Sequence, residues 1–405
     1  MRITVFEYIS GGGFLNKPID TSILSEGYSM LASILRDFKD IGCETITILD
    51  YRIAQLKPSI KADKIITISF EDNLEDILLN SFEYSDASLI IAPESEGILF
   101  NFVKLMESSN TTSLNSSSKT IHLCSNKAIF YEVLNKNNIE IPITKKCKFS
   151  NGLSFAYNVV KDFGLPVVFK PINGVGCSGL TIVNEYNQIE SAFEKVKSAS
   201  NSSDYLIQKF IHGIPVSVSL ICNNKGCKAL TLNLQKIDCD NYGNLRYMGG
   251  TIPFIHEYSD SALKISERVA KLFPNLKGYV GIDLILSPNG PVVMELNPRL
   301  TVSYVGLRFV GSENPASLIL KSIMRDELPK GFKTHGYTTF SKIFLKGLNK
   351  EKILKTYSID GVLTPPFDIN EEGFGYGFII GWGERINDAE YSLNRVREEL
   401  IKVVM

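Results

Sequence analysis

The segment that most constrains this chain runs from Gly281 to Arg299. Gly281–Leu286 and Pro291–Arg299 are largely apolar runs, and Ser287–Gly290 between them carries Pro288, Asn289 and Gly290. That pattern reads as two strands joined by a tight turn. A three-residue loop sets Ser287 opposite Pro291, which sets Asp283 opposite Glu295 on one face of the ribbon. Asn297 points the same way, because strand side chains alternate with period two. Two carboxylates facing each other repel. A divalent cation held by oxygen atoms removes the conflict, and Mg²⁺ is commonly held by one or two carboxylates together with substrate phosphates. The hairpin therefore reads as a metal–phosphate platform; the bland alternative is a solvated acidic edge.

Composition narrows the partners. At 405 residues the chain exceeds one core and suggests about three domains. A formal net charge of -1 offers no electrostatic case for nucleic acid or an anionic membrane surface. No apolar run reaches the roughly 18 residues that span a bilayer, and the N-terminus enters a strand directly, so the cytoplasm is the expected location. The seven cysteines form no C-x-x-C pair, which argues against a zinc knuckle. Cys222 and Cys227 flank a turn and read as reduced core thiols. His122, His212, His256 and His335 show no H-x-x-x-H spacing.

Residues 1–118 alternate strand and helix signals: strands at Ile3–Tyr8, Thr45–Asp50, Ile65–Ser69 and Ser88–Ala92, and a helix at Ser25–Phe38. This is the pattern of a doubly wound parallel sheet. Gly11–Gly13 follows the first strand without the G-x-G-x-x-G spacing of a dinucleotide loop. Glu7 before it and Glu94 after the last strand sit at strand ends, where such sheets bind ligands. Each, with Gly12, is a candidate substrate contact, and an exposed acid or a permissive loop is the alternative. Ser108–Ser118 is a polar run that reads as a linker. Beyond it, Ser125 is the expected N-cap of a helix Lys127–Asn135, which leaves Lys127 in the first turn. The helix dipole disfavours a cation there unless an anion lies close by.

Lys170 ends a strand (Pro166–Lys170) that runs into Pro171–Gly179, and a second strand, Leu180–Val183, follows. A glycine-rich loop between two strands is not a Walker loop, which opens a helix. It reads as a hairpin flap whose N–H groups, at Gly174, Gly176, Ser178 and Gly179, close over phosphates. Tyr205–Ile211 breaks at His212 and Gly213, a place where a planar base can lie between two lobes, its edge read by backbone groups and its face covered by Phe210 or Ile211; a plain core strand is the alternative. Residues 214–300 read as antiparallel strands around one helix, Ser261–Leu272. Past residue 330 a smaller unit includes a strand Gly377–Gly381 and an amphipathic helix Ala389–Val403.

Taken in order, these features resemble the ATP-grasp superfamily of carboxylate–amine ligases over about residues 119–325, with its usual Rossmann-like domain in front. The resemblance implies an α/β and α+β architecture: a Rossmann-like domain (1–118), an ATP-grasp lid (119–210), a metal and phosphate lobe (211–329) and a small C-terminal α+β extension (330–405). It implies ATP and Mg²⁺ (or Mn²⁺) as cofactors and small carboxylate and amine substrates as partners. Lys127 and Lys170 would contact phosphates, residues 173–179 would cover them, and Gln208, Lys209, Phe210 and Ile211 would hold adenine. Asp283, Glu295 and Asn297 would hold metal, and Arg299, with Lys170, would steady the transferring phosphoryl group. The acid that many members carry after the hinge to bind ribose is missing from Gly213–Ser217. Val5–Gly13, Leu24–Gly27 and Ala92–Glu94 look like the tyramine–L-glutamate ligase family of methanofuran biosynthesis. That likeness implies attack of the tyramine amine on an activated glutamate γ-carboxylate. Arg246, Gly249 and Ser303, which flank the platform, are further substrate candidates. A ligase for another amino acid and amine, or a non-catalytic ATP sensor, are the alternatives, and oligomeric state is left open.

Overall fold

In the computed structural model, residues 1–172, 179–200, 202–240 and 242–404 are described. Strands β1 (Arg2–Glu7), β2 (Glu44–Asp50), β3 (Lys64–Ile68), β4 (Ala87–Ile91) and β5 (Thr112–Ser113) form a five-stranded sheet in the order β3-β2-β1-β4-β5. All its pairings are parallel. The strand order reverses between β1 and β4, so the crevice at their carboxyl ends is the place where a ligand binds in such sheets. Glu7 and Glu94 both lie at that crevice.

The polar run after residue 108 is not a linker. It supplies β5, and Asn115 continues the edge with its side chain: its amide donates to Ile90 O and accepts from Ile90 N, both at 2.8 Å. A polar sequence is buried here because its groups find backbone partners. Ser125 likewise ends one helix (Ser118–Ser125) rather than capping the next, since its hydroxyl donates back to Ile121 O. Asn126 caps the helix Lys127–Lys136 instead, accepting from the N–H groups of Ala128 and Ile129.

Strands β6 (Thr144–Lys148), β7 (Val167–Pro171), β8 (Thr181–Val183) and β9 (Asp204–Lys209) form an antiparallel sheet in the order β6-β9-β7-β8. The β7–β8 pairing sets Val167 opposite Val183, so the glycine-rich segment does connect a hairpin. Gly174, Gly176 and Ser178 lie outside the described residues.

The largest sheet holds β10 (Ile214–Asn223), β11 (Gly226–Cys239), β12 (Leu245–Ile252), β13 (Gly278–Ser287), β14 (Gly290–Asn297), β15 (Tyr337–Lys346), β16 (Val362–Thr364) and β17 (Phe374–Gly383), in the order β14-β13-β10-β11-β12-β15-β17-β16. The sheet runs across residue 330, so the C-terminal segment extends the platform's own sheet. The helix Thr21–Asp40 binds this sheet to the first one. Leu31, Ile34 and Leu35 share a core with Ile3 and Val5 on one side and with Tyr304, Phe340 and Phe378 on the other. Cys222 and Cys227, expected as free thiols, face each other across the β10–β11 turn with Cα atoms 4.0 Å apart and are joined as a disulfide.

Candidate active site

The β13–β14 hairpin sets Asp283 opposite Glu295, but by a different route from the expected one. Ser287 pairs with Gly290, a loop one residue shorter, and a bulge between Asp283 and Leu284 restores the register, leaving Met294 as the extra residue. The Asp283 carboxylate accepts from Gln235 Nε2 at 2.9 Å and from Asn297 Nδ2 at 3.0 Å. Burial first, then the facing Glu295 charge, pushes the Asp283 carboxyl up to about 7. Burial would also raise Glu295, but the charge and hydrogen bond of Lys127, then Lys170 and Arg299, hold it below the ordinary value. The donor set of two carboxylates and an amide is one that a hard divalent cation fits when phosphate oxygens complete its shell. Among the described residues no group of three His, Cys, Asp or Glu side chains is placed to hold a metal ion unaided.

Two buried lysines stand beside these acids. Lys127 Nζ donates to Glu295 Oε1 at 2.7 Å. Lys170 Nζ donates to the Tyr131 hydroxyl at 2.6 Å, and that hydroxyl donates to Met294 O at 2.8 Å. Tyr131 thus ties the lid lysine to the bulged residue of the platform. Burial first, then the like charge of Lys127, pushes Lys170 down to about 7. A polyanion beside it would reverse that shift. Tyr131 escaped the sequence reading, although it lies four residues from Lys127 on the same helix face.

Arg299 closes the site. Its guanidinium forms a two-pronged bridge with Glu94, at 2.9 Å through Nε and 2.8 Å through the second nitrogen. Glu94 therefore orients Arg299 across the switch point of the first sheet. Glu7 is buried, and its carboxylate accepts from Ile9 N, Ser10 N and Ser10 Oγ. It holds the loop after β1 in shape, while also lining the cavity next to Arg299.

The other named residues divide. Ser303 is buried in the platform wall and hydrogen-bonds Ser217 at 3.0 Å. Arg246 is exposed at the cavity rim, 4.0 Å from Asp240. Gly179 lines the same cavity. Gln208 is buried and donates to Thr144 at 2.8 Å. The Lys209 ammonium is turned away from the hinge face, onto the carbonyls of Phe163, Gly164 and Leu165. The N–H groups of Lys209 and Phe210 are also engaged, with Ile143 O and Pro166 O. Ile211 is half-buried, two residues past the end of β9.

Two candidates are not brought to the platform. Gly12 lines a separate shallow depression with Glu71 and Asp72. Gly249 is buried opposite Ser341, at φ +138°, where a Cβ would collide with Phe340 O; it permits close pairing of β12 with β15. Gln235, missed in the sequence, alternates with Asn233 among Leu232 and Leu234 on β11, and that period-two polar pattern was the available signal.

Residues 124–303 match the ATP-grasp domain model, and residues 43–121 match the pre ATP-grasp 3 domain model. The tyramine–L-glutamate ligase of Methanocaldococcus jannaschii is 30% identical over 338 residues, covering 82% of this chain and 92% of that one. The chain belongs to the ATP-grasp family. It is an ADP-forming carboxylate–amine ligase. Solved structures agree on the fold. A biotin carboxylase from Campylobacter jejuni, in complex with a nucleotide, superposes with a TM-score of 0.74 at 15% identity, covering 98% of this chain and 91% of that one. An L-amino acid ligase from Bacillus licheniformis superposes at 0.67 and 14%, covering 98% of this chain and 97% of that one. Among the described residues no helix is long and apolar enough to cross a membrane.

Proposed function

We propose that this ligase joins the γ-carboxylate of L-glutamate to the amine of tyramine, the step that the resemblance assigns to methanofuran biosynthesis. The observation that carries the ATP chemistry is the convergence of Lys127, Lys170 and Arg299 with Asp283 and Glu295 in one buried cleft. The substrate pair comes from the tyramine–L-glutamate ligase relative. Lys127 and Lys170 hold the ATP phosphates. Asp283, Glu295 and Asn297 hold Mg²⁺ or Mn²⁺, which supplies charge neutralisation at the triphosphate. Gln208, the backbone at 209–210 and Ile211 bound the adenine pocket, and the resemblance assigns the cover of the phosphates to residues 173–179.

A glutamate γ-carboxylate oxygen attacks the γ-phosphorus, and the bond to the bridging β–γ oxygen breaks, releasing ADP. Arg299, held straight by Glu94, meets the charge on the transferring phosphoryl group. The free tyramine amine then attacks the acyl carbon. The carbon–oxygen bond breaks, phosphate leaves with that oxygen, and the amine proton passes to solvent. No side-chain nucleophile is required, because positioning and preorganised charge supply the rate.

The test is incubation of the full chain with ATP, Mg²⁺, glutamate and tyramine, with products followed by mass spectrometry. ADP, phosphate and γ-glutamyltyramine are expected. AMP and pyrophosphate would exclude the acyl phosphate, and amide formed only from another pair would replace the substrates. Absence of turnover with glutamate and tyramine would overturn the substrate assignment.

A further inference from the structure

Beside the platform lies a cavity of about 430 Å³, walled by the helix Thr21–Asp40, the loop after β4, the start of β12 and strands β15 and β17. Its wall carries an ion pair that the ATP chemistry does not use. Lys342 of β15 pairs with Glu26 of the helix, and Lys342 Nζ also donates to Ser22 Oγ at 2.9 Å. Both side chains are largely buried, 7% and 22% exposed. Glu26, Tyr247 and Arg299 line this cavity and also the pocket that holds Asp283, Glu295 and Asn297. A short molecule can therefore reach the platform with one end while its other end meets Lys342 and Glu26.

Charges withdrawn from water are costly even when paired. This pair faces open space rather than closing a packed core. A zwitterion entering there exchanges one ion pair for two, so every charge keeps a partner. A plain dicarboxylate would set a second anion beside Glu26, and an ω-amino acid would leave Lys342 without its new partner.

We infer that Lys342 and Glu26 form a zwitterion-reading subsite. Lys342 receives the α-carboxylate and Glu26 the α-ammonium of an α-amino acid whose side-chain carboxylate lies at Arg299. The subsite explains why a distal carboxylate is the one activated: the α-carboxylate is held away from the platform. It also gives the C-terminal segment a part in recognition. The inference rests on the proposed reading that the carboxylate substrate is an amino acid such as glutamate.

The experiment compares L-glutamate with glutarate, which lacks the α-ammonium, and with 4-aminobutyrate, which lacks the α-carboxylate. ADP release is followed for the wild type, Lys342→Met and Glu26→Gln at saturating amine. The wild type should favour glutamate over each analogue by about 100-fold in kcat/KM, as expected for a site whose charged groups lose their partners. Lys342→Met should lower the preference over 4-aminobutyrate to below about tenfold and leave that over glutarate in place. Glu26→Gln should do the reverse. KM for ATP should stay within about twofold in both.

Equal loss on all three acids, or a change in KM for the amine or for ATP instead, would mark the pair as a strut or an amine site and overturn the inference. A wild type that accepts either analogue as readily as glutamate overturns it even if the variants do not fold. If the wild type ignores glutamate but activates another amino acid, the substrate reading alone fails. The comparison then runs on that acid and its desamino and descarboxy analogues. Activation only of acids without both α-groups, or of no acid at all, overturns the subsite.

Discussion

Asp283→Asn separates what the platform costs from what it does. The ordinary Asp carboxyl titrates near 3.8, and burial with the Glu295 charge lifts this one to about 7. A difference of about three pH units at about 1.4 kcal/mol each makes ionised Asp283 a burden of on the order of 4 kcal/mol in the metal-free protein. The sign follows from linkage. The unfolded carboxyl releases its proton first, so the burden is absent below pH 3.8, grows between 3.8 and about 7, and is constant above. Asparagine carries no charge, but Gln235 and Asn297 both donate to this position. One of those bonds is therefore lost, as it is when the wild-type carboxyl takes up its proton, so the shift already contains that loss. Without metal or nucleotide, the variant should be about 2–4 kcal/mol more stable than the wild type at pH 8 and within about 1 kcal/mol of it at pH 4. Calorimetric melts in EDTA at both pH values read this directly. The same variant should lose stabilisation by Mg²⁺–ATP and at least about 100-fold in turnover. A variant that melts no higher than the wild type at pH 8, or that gains as much at pH 4 as at pH 8, would refute the electrostatic reasoning.

Other changes probe neighbouring parts. Lys170→Met should keep the apo fold while cutting kcat about 100-fold or more, measured by ADP release, because the buried cation proposed to meet the phosphates is removed. Glu94→Gln should leave ATP binding nearly intact and lower kcat about tenfold, since Arg299 keeps a neutral partner but loses its charge-assisted bridge. Gly249→Ala should destabilise by about 1–3 kcal/mol, seen as a lower Tm and earlier proteolysis after residue 330, because an L side chain at φ +138° would press on Phe340.

The parts of this fold that local pattern controls were readable. The alternation of short apolar strands and helices before residue 108 predicts the parallel sheet. The run from Lys127 to Arg299 carries the platform residues in order, because each sits on an element with a clear period. What escaped was non-local. The Asp283–Glu295 pairing is right only because the shorter turn and the bulge at Met294 cancel; a one-residue bulge leaves no trace in composition. Asn115 reads as linker because its pairing with Ile90 is made by a side chain standing in for backbone. Gly249 reads as a substrate contact because the strand it packs against, β15, lies about ninety residues further along. Lys342 and Glu26 are separated by more than three hundred residues, and nothing in either neighbourhood marks them as partners.

The central claim is that Asp283, Glu295 and Asn297 form the metal seat beneath the nucleotide phosphates. Crystals of the full chain grown with Mn²⁺ and ADP, measured at the manganese absorption edge, test it most directly. The account predicts an anomalous peak within about 2.5 Å of a carboxylate oxygen of both Asp283 and Glu295, with a phosphate oxygen in the same shell. A manganese peak elsewhere, or carboxylates turned apart with the diphosphate bound away from them, would contradict it.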